Sequence, residues 1–220
     1  MKPASIGLPL VLLLASVATS VGCQSSLFSN AEALGVAKRG ILADGVASTR
    51  DQETQAKKDF KNALKVLGEL TSNPKSDDLF DKYSKFKRAY DDCEYRVNEL
   101  ADSIENIEDV SRNMFDEWTD QLAEYTNQDL RRASETQRAD TQRSYDVLIA
   151  ATKSAERAIK PVHATFHDQV LFLKGNVNAE AIVTLQGQTA AVDADVAKLV
   201  VDLDAAIAAA EKFLEGMPKR

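Results

Sequence analysis

His163 and His167 stand four residues apart in a stretch of helical periodicity, which sets both imidazoles on one helix face at a spacing that suits a shared metal ion. No Glu adjoins the first histidine, so the metalloprotease pattern is absent. The neighbouring turns offer Ile159, Lys160, Val170 and Leu171, Asp168 lies off that face, and a third ligand is missing. The pair therefore reads as two surface histidines following Pro161. Cys93 falls on an apolar stripe, where a thiol behaves as a small buried hydrophobe. Trp118 and the Phe, Tyr and Met positions of the same stripe read as core rather than as a ligand box. Arg131-Arg132 is too short for a phosphate-binding patch, and there is no Gly-rich phosphate loop, nucleophile elbow or paired-Cys motif. The expectation is a protein that is not an enzyme, with no catalytic residue, cofactor, metal or small-molecule substrate.

Cys23 is the position with the most definite chemistry. Met1-Lys2, an apolar run from Ile6 to Ala18 and then small residues form the layout of an export signal, and the run is shorter than the ~20 residues that span a bilayer. Ser20-Val21-Gly22-Cys23 resembles a bacterial lipoprotein signal, with Ser20 where Leu is usual. Residues 1–22 are thus expected to be a signal peptide, with Cys23 as the lipidated residue. Cleavage after Ser20, leaving a soluble periplasmic protein, and a retained signal anchor are the alternatives. Gln24 and Ser25 lack the Asp that holds lipoproteins in an inner membrane, which favours the periplasmic face of the outer membrane. Buried acyl methylenes anchor at ~0.8 kcal/mol each. With Cys23 acylated, Cys93 is the remaining thiol in an oxidising compartment, where a disulfide between two copies is open to it.

Lys and Arg number 27 against 34 for Asp and Glu, a net charge of −7 that becomes −8 once residues 1–22, charged only at Lys2, are set aside. No five like charges run together. Nucleic acid, which demands concentrated positive charge, is excluded as a partner. The charges read as the solvated faces of long helices.

Those helices follow from an apolar seam stepping alternately by four and three residues. The clearest runs through Leu79, Tyr83, Phe86, Tyr90, Cys93, Val97, Leu100, Ile104, Ile107, Ser111, Met114 and Trp118. A helix of that extent is roughly 60 Å long. Before it, a first helix from Ser29 or Asn30 to Leu70 carries Leu42, Val46, Ala56, Phe60, Ala63, Leu67 and Leu70, interrupted by Thr49 and Glu53. Gly35, Gly40 and Gly45 should make its first half fray or pack closely. Residues 71–77, around Pro74, break the chain. A third helix from Asp129 to Lys174 uses Tyr145, Leu148, Ile149, Thr152, Ala155, Ile159, Val162, Phe166, Val170 and Leu173, and Pro161 should kink it or start a new one. Whether the chain reverses or bends at Thr126 to Asp129 is left open. Gly175, as a left-handed terminator, and Asn178, as N-cap, introduce a fourth helix through Ile182, Leu185, Thr189, Val192, Val196, Leu199, Leu203, Ala206, Ala210 and Phe213. The fold expected is all-α, an elongated antiparallel four-helix bundle or coiled coil of long helices. Its parts are a tether at 23–28, one bundle domain at 29–216 and a tail at 217–220.

Phe115-Asp116-Glu117-Trp118, Tyr125-x-Asn127-x-x-Leu130-Arg131, Gly35-x-x-Lys38-Arg39, the Phe60 region and the block from Phe166 to Ile182 together resemble a bacterial family catalogued as domain of unknown function two-nine-five-nine. The resemblance covers nearly the whole chain after the signal. It implies an exported, helical, lipoprotein-like envelope protein with no assigned activity and no catalytic residue to carry over. His163 and His167 are not part of the pattern. Asp168, Gln169, Lys174, Asn176 and Asn178 are rich in charge and amide for a simple connection, and we expect them to form a surface that contacts a protein partner or a second copy. The plain alternative is that they cap helix ends. The leading expectation is a membrane-anchored envelope protein with a structural or scaffolding role. The alternative is a bundle that opens to hold a hydrophobic or lipid ligand, with Thr49, Glu53, Ser111 and Thr189 as its loosened layer.

Overall fold

The computed structural model describes residues 36–217. The expected signal peptide, the Cys23 lipidation site, the tether, Ser29, Asn30 and Gly35 lie outside the described residues, as do residues 218–220. Among the described residues there are five helices and no strand: α1 (Val36–Thr71), α2 (Leu79–Glu124), α3 (Gln128–Lys174), α4 (Ala179–Gln186) and α5 (Thr189–Glu215). At 1.5 Å per residue α3 alone is about 70 Å long. The architecture is an antiparallel helical bundle of four arms, α4 and α5 together forming the fourth.

The seams became the interior. Of the twelve stripe positions on α2, ten are buried, and Leu79 and Val97 are half-buried against the core. All seven apolar positions of α1 are fully buried. Each long helix packs its stripe between two neighbours, α1 against α2 and α5, and α3 against α2 and α5. The diagonal backbones stay apart while their side chains meet across the axis: Phe60 of α1 stacks on Phe166 of α3 at 6.1 Å, and Phe86 of α2 meets Phe166 edge-on at 5.8 Å.

The chain reverses between α2 and α3. Trp118 Nε1 donates to Ser134 Oγ at 2.9 Å, Arg138 Nε donates to the Phe115 carbonyl at 3.3 Å, and the Lys153 ammonium meets the Glu108 carboxylate. Each pair straddles the Tyr125 to Asn127 connection, which only an antiparallel hairpin allows. Tyr125 takes an extended backbone, and Asn127 caps α3 by accepting from the Asp129 and Leu130 amides. Three residues without Gly or Pro therefore suffice for the turn. At the start of α1, Lys38 pairs with Glu117 and the Arg39 guanidinium lies 4.2 Å over the Trp118 ring. Gly45 is a close approach, since a Cβ there would stand 3.1 Å from Ile107 Cγ2.

Several local expectations needed correction. Helix α3 continues across Pro161 without a new start; Pro161 and Arg157 are both exposed, so water can satisfy the carbonyl the ring leaves unbonded. Gly175 is right-handed (φ −107°) rather than left-handed, because its N–H and that of Asn176 both close on the Leu173 carbonyl. The fourth helix is broken: Gly187 ends α4, and α5 restarts after Gln188. Met217, read as the first tail residue, is buried against the α5 end of the core.

Truncation at the aromatic crossing should be severe. Phe166→Ala is expected to lower unfolding free energy by about 3–5 kcal/mol in denaturant titration, whereas Phe80→Ala, at an exposed position, should change it by less than about 0.5 kcal/mol.

Candidate functional site

The buried apolar residues form two clusters. The larger includes Phe60, Phe86, Cys93, Leu100 and Phe166; the smaller includes Leu42, Val46, Ile107, Trp118 and Phe213. Between them on α1 lie Thr49 and Glu53, and on α3 Thr152, three polar side chains at most 1% exposed. Thr49 and Ser111 are satisfied within their own helices, Thr49 Oγ1 donating to the Gly45 carbonyl and Ser111 Oγ to the Glu108 carbonyl. Glu53 is not satisfied: neither carboxyl oxygen has a hydrogen-bond partner, and neither does the Thr152 hydroxyl. Burial raises the Glu53 carboxyl from 4.5 to about 7, with the Thr152 hydroxyl a smaller opposing influence from nearby. An acid whose protonated form is favoured by burial therefore sits at the centre of the rod, in the layer where its two halves join. Thr189 is half-buried at the start of α5, far along the bundle, with its hydroxyl donating to the Leu185 carbonyl; it does not join that layer.

The histidines are not a plain surface pair. His163 is half-buried with Nε2 buried and unpartnered, and its ring stacks on Tyr90 at 5.3 Å. His167 is exposed, 6.0 Å from the same Tyr90 ring, and Nδ1 lies 3.3 Å from Asp168 Oδ1. Burial holds His163 below its ordinary value, and Glu94 opposes that shift. Among the described residues no group of three or more His, Cys, Asp or Glu side chains is placed to hold a metal ion. Cys93 is fully buried and its thiol is pushed strongly upward by burial, so it is out of reach of a second copy while the bundle stays closed.

The expected interaction surface lies at the end of the bundle that holds the α1–α2 and α3–α4 turns. Asp168, Lys174, Asn176 and Asn178 are exposed there. Gln169 is not: it is 2% exposed, with both amide atoms buried and unpartnered, because it faces inward beside Val170 and Leu173. Asn178 caps α4, accepting from the Ala181 amide at 2.9 Å, and the Asn176 amide reaches the Phe172 carbonyl at 3.5 Å. Capping thus accounts for two of the five side chains. Phe80, Leu171, Phe172 and Val183 are exposed apolar residues of the same end. Sequence periodicity marked Glu53 as an interruption but carried no sign of Thr152 opposite it, since that pairing depends on the register between two helices.

The chain belongs to the family described as protein of unknown function (DUF2959), whose model matches residues 27–217. No curated protein and no solved structure matches the chain.

The Glu53 carboxyl sets a pH dependence with a definite sign. Its proton is held more tightly in the folded chain, so this group favours folding least above pH 7, with stability lost as pH rises from 4.5 to about 7. Glu53→Gln should remove that slope. The difference in unfolding free energy between variant and parent should grow by on the order of 3 kcal/mol from pH 4.5 to pH 8, by the 1.36 kcal/mol worth of each pKa unit. Equal slopes in paired denaturant titrations would contradict it.

Proposed function

We propose that this member of the family is a cell-envelope lipoprotein, tethered through acylated Cys23 to the periplasmic face of the outer membrane, with a structural or protein-scaffolding role. One observation carries the reading. Helix α1 begins at Val36, at the same end as the α2–α3 turn and the close of α5, whereas Asp168, Lys174 and Asn176 crown the opposite end. The 36 residues of α1 separate the two ends by about 54 Å at helical rise. A tether on the N-terminal side would hold one end at the bilayer and present the other, with its exposed Phe80, Leu171, Phe172 and Val183, to a partner away from the surface. No helix among the described residues is long and apolar enough to cross a membrane.

A second reading, a bundle that parts to hold a hydrophobic or lipid ligand along its seam, is favoured by the unsatisfied Glu53 and Thr152 layer. Parting would expose Cys93, so ligand-dependent thiol labelling of Cys93 separates it from the scaffold reading, in which labelling stays slow.

Cell fractionation tests the anchor. Cys23→Ser should move the protein from the membrane pellet to the soluble periplasmic fraction; retention in the pellet would overturn the lipoprotein assignment. At the far end, combined Asp168→Ala and Lys174→Ala should abolish capture of the partner crosslinked at Asn176 in cells while leaving the melting temperature unchanged. By contrast, Asn178→Ala, which removes a helix cap, should cost about 1 kcal/mol of stability.

A further inference from the structure

The seam is filled by side chains, but the outside of the bundle carries an open groove of about 890 Å³ between α1 and the α4–α5 arm. It arises where two sets of small residues face each other. Gly68 lies on one wall, and a Cβ built there would meet nothing within 4 Å; Ala190 and Ala197 lie on the other. The break at Gly187 adds to the opening, because α4 ends and α5 restarts directly beside it. Leu64, Val196 and Val200 give the groove an apolar lining. From Val200 to Thr189 it follows about 16 Å of helix.

Its rims are charged in a pattern that selects an occupant. Lys61 and Lys65, one turn apart on α1, flank the apolar lining on one side. Lys61 forms no ion pair among the described residues, and Lys65 reaches Glu69 only at 3.8 Å, with both side chains more than half exposed. Two ammonium groups thus stand largely uncommitted beside a greasy trough in a protein whose net charge is −7. On the facing helix the polar edge is Thr189, whose hydroxyl is already satisfied by the Leu185 carbonyl, and Asp193.

We infer that this groove binds a single-chain amphiphile with a phosphate-bearing head, the acyl chain lying over Leu64, Val196 and Val200 and the phosphate meeting Lys61 and Lys65. Lysophospholipids have this chemistry. The groove runs along the gap between α1 and the α4–α5 arm, and a single acyl chain can follow it lengthwise. Asp193, on the opposite rim, suits an ammonium on the same head, which favours a zwitterionic headgroup. The site is independent of the scaffold reading and leaves the bundle closed.

The test is calorimetric titration of the full chain with myristoyl lysophosphatidylethanolamine below its critical micelle concentration. Binding should saturate at one equivalent. Lys61→Glu with Lys65→Glu should weaken it at least about tenfold, at roughly 1 kcal/mol for each lysine near an anionic lipid surface. Gly68→Phe, which places a ring into the open space of the groove, should abolish binding without lowering the melting temperature. The cationic amphiphile dodecyltrimethylammonium should not compete. Unchanged affinity in Gly68→Phe, competition by the cationic amphiphile, or accelerated labelling of Cys93 on lipid addition would each overturn the proposal, the last by placing the ligand inside the bundle.

Discussion

Every long helix here has one narrow apolar stripe and no second face to bury. That constraint dictates the molecule. A stripe of a and d positions is covered only when a helix lies between two neighbours, so four arms close into a ring in which α1 and α3 each touch both α2 and α5. The large side chains meet at the axis, where Phe60, Phe86 and Phe166 form a single aromatic contact drawn from three helices. Fully burying such a side chain contributes about 1.5–3 kcal/mol. Removing any arm would uncover the stripes of two others, and so the structure depends on all four together.

The same constraint gives the central polar layer its meaning. Where the two apolar clusters meet, Thr49 and Ser111 turn their hydroxyls back onto their own helices, at little cost. Glu53 has no such recourse, and burial shifts it toward its protonated form instead. Sliding α1 by a heptad toward the larger cluster would press this carboxyl against the aromatic contact and remove it from Thr152, so the layer penalises that misalignment. This group's contribution to folding is therefore lost as pH rises toward about 7. Charged pairs between helices, such as Arg96 with Asp59 at 3.3 Å, lie outside the seam and stabilise only modestly.

Much of this was legible in the sequence. The stepping of four and three residues named the buried face of every long helix, because burial of a stripe leaves a periodic trace. Relations between helices left none. Nothing local in Tyr125, Thr126 and Asn127 distinguishes a reversal from a bend, and the hairpin is set by Trp118, Phe115 and Lys153 finding partners across it. Thr152 was read as a seam position, yet its placement opposite Glu53 is a matter of register. Gln169 was read as surface because amides usually are, whereas here it occupies an inward position next to Val170. Gly187 did carry a local signal: a glycine between Gln186 and Gln188 lowers helix propensity, and the break falls there.

The bundle places the start of α1 at one end and an exposed apolar and polar surface at the other. The account stands on the chain folding back between α2 and α3. Energy transfer between dyes on cysteines introduced at exposed Ser72 and Asn176, with buried Cys93 left unlabelled, measures this directly. The bundle places both sites at one end, about 20 Å apart across two helix diameters, so transfer should be close to complete. If the chain instead ran on through Tyr125 to Asn127, α2 and α3 end to end would hold the sites about 140 Å apart, and an absence of transfer would contradict the account.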